Sequence, residues 1–134
     1  MKRYVIAYFC FLLPMLAIDS VWLFTMSKRF YQARIGSLLA ESPRLAPAAV
    51  FYLIYALGAS VLVVVGCVDN SCGFLEVFLL GALLGLFAYA TYDLTNQATL
   101  KEWPGVVTVV DLIWGALLTG VVSLAAVALT RLFT

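Results

Sequence analysis

Four stretches of this 134-residue chain are each long and apolar enough to cross a lipid bilayer. A spanning helix needs about 20 apolar residues, because about 30 Å of hydrocarbon is crossed at about 1.5 Å per residue. The stretches run from about Tyr4 to Met26, Pro47 to Val65, Phe74 to Leu94 and Pro104 to Leu132. Inside hydrocarbon every backbone polar group must be paired within the protein, which leaves helices and closed barrels. Four strands cannot close a barrel, and no alternating run of about ten residues occurs. The sequence therefore predicts an all-α integral membrane four-helix bundle with short loops and antiparallel neighbours. Residues 1–134 form one domain in this reading.

Composition agrees. Apolar residues make up 65% of the chain and charged residues 11%, whereas soluble domains sit nearer a half and a quarter. A soluble chain this short could not hide so much apolar surface. Eight basic and seven acidic residues give a net charge of +1, which argues against nucleic-acid binding and leaves the lipid bilayer as the expected partner.

Pro47 and Pro104 stand where helices begin, where a missing N–H costs nothing. Pro14 lies inside the first span and is expected to kink it. Trp103 reads as an interfacial anchor. Lys2 and Arg3 before an apolar run resemble a secretory signal, but no small-residue cleavage site follows, so the run is expected to be retained as the first span. Residues 27–46 mix basic and apolar side chains. They fit either a short amphipathic helix on the membrane surface or an ordinary basic loop.

With four spans, both termini share one face with the loop from Gly66 to Gly73. That face carries Lys2, Arg3 and Arg131, and the opposite face carries Lys28, Arg29, Arg34, Arg44 and Lys101. The positive-inside rule then puts the two basic loops in the cytoplasm and both termini outside. Cys67 and Cys72 flank the loop on the termini side. In an oxidising compartment they would pair as a disulfide, and otherwise they are free thiols. Cys10 reads as a small core residue.

The acids within the spans are the informative residues. Asp19 lies seven residues before the end of the first span, Asp111 seven after Pro104, and Asp93 near the end of the third span. The first and third spans run one way and the fourth returns. All three acids therefore sit toward the face with the basic loops, Asp19 and Asp111 about 10 Å below it. A charge at such depth costs at least about 2.5 kcal/mol on insertion scales, so these groups are expected to face the bundle interior. No Lys or Arg lies near mid-span and the chain has no His. Lys28, Arg44 and Lys101 reach in only from the loops. Neighbouring acids are then expected to share a proton.

Polar and aromatic residues surround them. Tyr89, Asp93 and Asn96 fall on one helix face, with Thr91 and Tyr92 in the same run. Gly81 and Gly85 have the GxxxG spacing that permits close helix contact. Phe51, Tyr52 and Tyr55 open the second span at this level, lining a cavity or forming an interfacial belt. Asp19-Ser-Val-Trp22 and Asp111-Leu-Ile-Trp114 both read Asp-x-x-Trp, an echo that fits either an inverted relation between halves or chance. Glu76, at the opposite face, suits the start of a helix. The candidate ligand- or ion-binding set is Asp19, Asp93, Asp111, Asn96, Thr91, Tyr92, Trp22, Trp114 and Tyr55.

These motifs resemble a family of small predicted bacterial membrane proteins known as domain of unknown function 2177. The resemblance spans the whole chain. It rests on Asp19-x-x-Trp22-Leu23, Phe30-Tyr31, Phe51-Tyr52-x-x-Tyr55, Ala90-Thr91-Tyr92-Asp93-Leu94-Thr95-Asn96, Trp103-Pro104 and Asp111-x-x-Trp114-Gly115. It implies a four-helix protein of the bacterial inner membrane and supplies no activity.

No metal or cofactor is expected. Without His there is no haem ligand and no Ser-His-Asp or Cys-His catalysis, and no phosphate loop or dinucleotide fingerprint is present. Three function classes stay open. In the first, the acids bind a proton or cation and the protein handles or transports a small or amphipathic ligand, as a homodimer because four helices are few for a pathway. In the second, two carboxylates act as general acid and base on a lipid-like substrate whose phosphate the basic face holds. In the third, the acids only tie the bundle together and the protein is a structural subunit.

Overall fold

The computed structural model describes residues 1–134. Four continuous helical stretches account for nearly all of it: α1 (Lys2–Leu38), α2 (Leu45–Asp69), α3 (Phe74–Thr99) and α4 (Gly105–Phe133). All four are long enough to span, with mean hydropathy between 1.9 and 2.4 over their most apolar windows. No strand is present, so the all-α, four-helix expectation holds. Three helices outrun the apolar stretches that announced them. α3 continues past Leu94 to Thr99, and the hydroxyls of Thr95 and Thr99 turn back onto the carbonyls of Thr91 and Thr95. Pro14 lies within α1, which continues on both sides of it.

α1 does not stop at Met26. It passes through a π-turn at Ser27–Tyr31 and goes on to Leu38. Residues 27–38 are helical, as the amphipathic reading expected, and continue from the first span without a break. Phe30 and Ile35 are buried against Trp103 and Val107 at the start of α4. Trp103, expected as an interfacial anchor, is likewise covered, and its indole N–H donates to the Thr108 hydroxyl at 3.1 Å. The π-turn also resets the helix face. Twelve residues at about 100° each would leave Tyr31 about 120° away from Asp19 around the axis. The extra residue in a π-turn takes back about 100°, so Tyr31 returns to the side of Asp19.

The core lies along α4, whose residues Leu118, Val122 and Ala126 meet Phe11 and Met15 of α1, Ala59 and Val64 of α2 and Val77 of α3. Outward faces are apolar: Phe24 is 90% exposed and Val21, Leu62 and Phe74 are also bare. Such a surface suits hydrocarbon as the surrounding solvent.

α3 and α4 form a tight antiparallel pair in a definite register. Gly81 lies against Ser123 and Gly85 against Thr119, and Tyr89 covers Gly115. Each step is four residues forward on α3 and four back on α4. A Cβ on Gly85 would collide with the Gly115 carbonyl, and one on Gly81 would lie 2.8 Å from the Thr119 carbonyl. These two glycines permit the close approach that their spacing predicted. The next rung of the same ladder is Asp93 opposite Asp111.

At the other end, α2 closes with the N–H of Ser71 bonded to the Val68 carbonyl and that of Cys72 to the Cys67 carbonyl. This is a Schellman turn, and Ser71 takes the left-handed position (φ 54°) that glycine usually fills. Arg131 of α4 donates to the carbonyls of both Cys67 and Cys72, each at 3.0 Å. Arg3 pairs with Asp69, so the start of α1, the end of α2 and the end of α4 share one face. Cys67 and Cys72 are buried free thiols here, so of the two readings offered by the sequence the structure has the unbonded one.

Candidate functional site

Asp19, Asp93 and Asp111 are all buried, Asp93 completely. Asp19 sits on the inner face of α1 and takes two hydrogen bonds. The Tyr52 hydroxyl of α2 donates to Oδ2, and the Trp114 indole N–H of α4 donates to Oδ1 at 3.0 Å. Asp111 accepts the hydroxyl of Tyr31, the residue that the π-turn swings inward. The Trp22 indole N–H donates in turn to that tyrosine oxygen at 3.1 Å.

The two Asp-x-x-Trp motifs therefore serve each other crosswise. Trp114 holds Asp19, and Trp22 reaches Asp111 through Tyr31. The two indoles stack between them, their centroids 4.0 Å apart. Within each motif, three residues are about 300° of helix, which puts the indole beside its own acid but turned toward the facing helix. Antiparallel helices then exchange partners.

Asp93 is different. Neither of its carboxylate oxygens has a hydrogen-bond donor. Its side chain faces Asp111 across the glycine-packed seam between α3 and α4. A buried carboxylate without a donor is an expensive arrangement.

A cavity of about 870 Å³ opens beside these groups. Asp19 and Asp111 lie in its wall with the stacked tryptophans, Tyr31, Tyr52, Tyr89, Tyr92 and Trp103. Lys28 and Arg29 line its rim, and Leu23 and Phe24 border it on the lipid side. No ion pair forms within it, since the only one in the protein is Arg3–Asp69 at the far end.

The structure does not gather every candidate residue at the cavity. Asp19, Asp111, Trp22, Trp114 and Tyr92 line it, and Asp93 stands directly behind Asp111. Tyr55 is one layer away in the core, its hydroxyl 2.8 Å from Thr119 and its ring stacked on Phe51. Asn96 is half-buried off the cavity wall. Thr91 faces outward and bonds back to the Phe87 carbonyl at 2.7 Å. Two residues before Asp93 is about 200° around the helix, which turns Thr91 away from the acid. Tyr31 and Tyr52, the two hydroxyls that hold the acids, were outside the candidate set. Tyr52 was visible in the sequence as part of the aromatic cluster of span two. Tyr31 stood in the Phe30-Tyr31 motif, but its inward placement was hidden because nothing in composition announces a π-turn.

Four membrane-length helices around an acid- and aromatic-lined cavity define a small polytopic membrane protein. The chain belongs to the family described as predicted membrane protein (DUF2177), with a match that covers residues 4–128. No curated protein and no solved structure matches it.

Proposed function

We propose that this protein handles or transports a small or amphipathic ligand in step with a proton or ion. The ligand occupies the cavity and the proton is held by Asp93 and Asp111. One observation carries the reading: Asp93 is fully enclosed without a hydrogen-bond donor, and its neighbour is a second carboxyl group that lines the cavity. Ionisable groups enclosed within membrane spans commonly form proton and ion relays. From this pair a chain of contacts runs through Tyr31, the Trp22–Trp114 stack and Asp19 to Tyr52. A change of charge at Asp111 is thereby felt around the whole cavity.

Infrared spectroscopy with hydrogen–deuterium exchange tests this. The expected result is one carboxylic-acid band, lost in both Asp93→Asn and Asp111→Asn, that shifts within minutes in heavy water. A band that resists exchange for hours would mark a locked structural bond and sink the proposal.

The same proposal sets the protein in the bacterial inner membrane as a homodimer, with the cavity on the cytoplasmic side and both termini outside. A second reading draws on Lys28 and Arg29 lining the same cavity as Asp19 and Asp111. That set would suit acid–base chemistry on a phosphate-bearing lipid. Unchanged lipid composition after deletion and overexpression would count against it.

A further inference from the structure

The cavity is dipolar. Asp19 and Asp111 lie at its inner end and have no cationic partner, while Lys28 and Arg29 lie at its rim and have no acidic one. Asp93, fully buried and without a donor, adds further acid behind Asp111. Eight aromatic rings complete the lining, Trp22, Trp114, Tyr52 and Tyr89 among them. The two stacked indoles both line the cavity. Aromatic faces beside carboxylates make a good site for an ammonium group. Unpaired basic side chains at a membrane interface make one for a phosphate.

We infer that the cavity takes a zwitterion, an ammonium and a phosphate on one short chain, with the ammonium inward and the phosphate at Lys28 and Arg29. The inference rests on the reading of this cavity as a ligand site. Both charged groups sit on one helix. Asp19 and Lys28 are nine residues apart on α1, about 13 Å along the axis. The flexible four-carbon stem of Lys28 lets its ammonium reach along the cavity from the rim. Two sources supply this chemistry, an aminophospholipid headgroup and a free aminoalkyl phosphate. Leu23 and Phe24, exposed at the lipid-side border, leave room for acyl chains in the first case.

The experiment follows tryptophan fluorescence of the full-length protein in a maltoside detergent. Four probes are titrated: dihexanoyl phosphatidylethanolamine, free phosphoethanolamine, ethanolamine and dihexanoyl phosphatidylglycerol. The expected result is a saturable change with at least one of the two zwitterions. Ethanolamine and the phosphatidylglycerol should each bind about tenfold or more weakly, having one of the two charges. Binding of the lipid alone assigns a headgroup, and equal binding of free phosphoethanolamine assigns a soluble ligand. Lys28→Ala with Arg29→Ala, both at exposed positions, should weaken the zwitterion about tenfold and leave ethanolamine unchanged. Asp19→Asn should weaken both.

No saturable response to either zwitterion, or equal affinity for the phosphatidylglycerol, would overturn the inference. If the infrared exchange behaves as expected while no zwitterion binds, the ligand class is wrong and the proton reading stands. Zwitterion binding with a locked carboxyl band would mean the reverse.

Discussion

Trp22 and Trp114 stack face to face, their planes 10° from parallel, although ninety-two residues separate them in the chain. Each indole N–H points away from the stack to a different acid, one directly and one through Tyr31. Two stacked indoles couple electronically, so the pair should give an exciton couplet in circular dichroism. Trp22→Phe and Trp114→Phe should each abolish the whole couplet. Separate half-losses that add would mean that the rings do not stack in the membrane.

The glycine seam between α3 and α4 brings Asp93 to Asp111, so stability and the acid pair are linked. Gly85→Ala places a methyl group against the backbone of Gly115, where no side chain can give way. It should destabilise the protein by about 2 kcal/mol or more in detergent–denaturant unfolding. Gly58→Ala and Gly66→Ala meet nothing within 4 Å. They should be neutral or slightly stabilising, since alanine is the better helix former by up to about 1 kcal/mol. Equal effects at all three positions would contradict the register.

At the termini face, one guanidinium closes the turn between α2 and α3. Charge-assisted bonds of this kind are worth about 1.5–3 kcal/mol each. Arg131→Ala removes the donor to the carbonyls of Cys67 and Cys72, and both thiols should become faster to alkylate, by about tenfold. An unchanged labelling rate would show that the turn holds without the arginine.

Much of this was legible in the sequence because membrane spans are a matter of length and polarity. The four apolar runs, the shared depth of Asp19, Asp93 and Asp111 and the close-packing glycines all follow from counting along helices. What counting could not provide was phase across irregular turns. The π-turn at Ser27–Tyr31 rotates everything after it, so Tyr31 reaches Asp111 and residues 27–38 pack on Trp103. Hydropathy also ends where apolar residues end, which hid the last turns of α3. The exchange of tryptophans between the two Asp-x-x-Trp motifs needed the facing of α1 and α4, which no single-helix periodicity contains.

Topology is open to a direct check. In a variant lacking the native cysteines, Asn70→Cys on the termini face should react with a membrane-impermeant maleimide in intact spheroplasts. Ser37→Cys, at the end of α1, should react only after permeabilisation. Both positions are exposed. The reverse pattern would place the basic face outside, and labelling of both in intact cells would mean dual insertion.

The proposal that Asp93 and Asp111 share a proton is tested most directly by titrating tryptophan emission against pH. Trp22 is two contacts from Asp111, through Tyr31, so it reports the charge of the pair. The wild-type protein should show a one-proton transition that moves to a different pH in Asp93→Asn, is lost in Asp111→Asn and persists in Asp19→Asn. A transition at an unmoved pH in Asp93→Asn, or none in the folded wild-type protein, would contradict a proton held in common by these two residues.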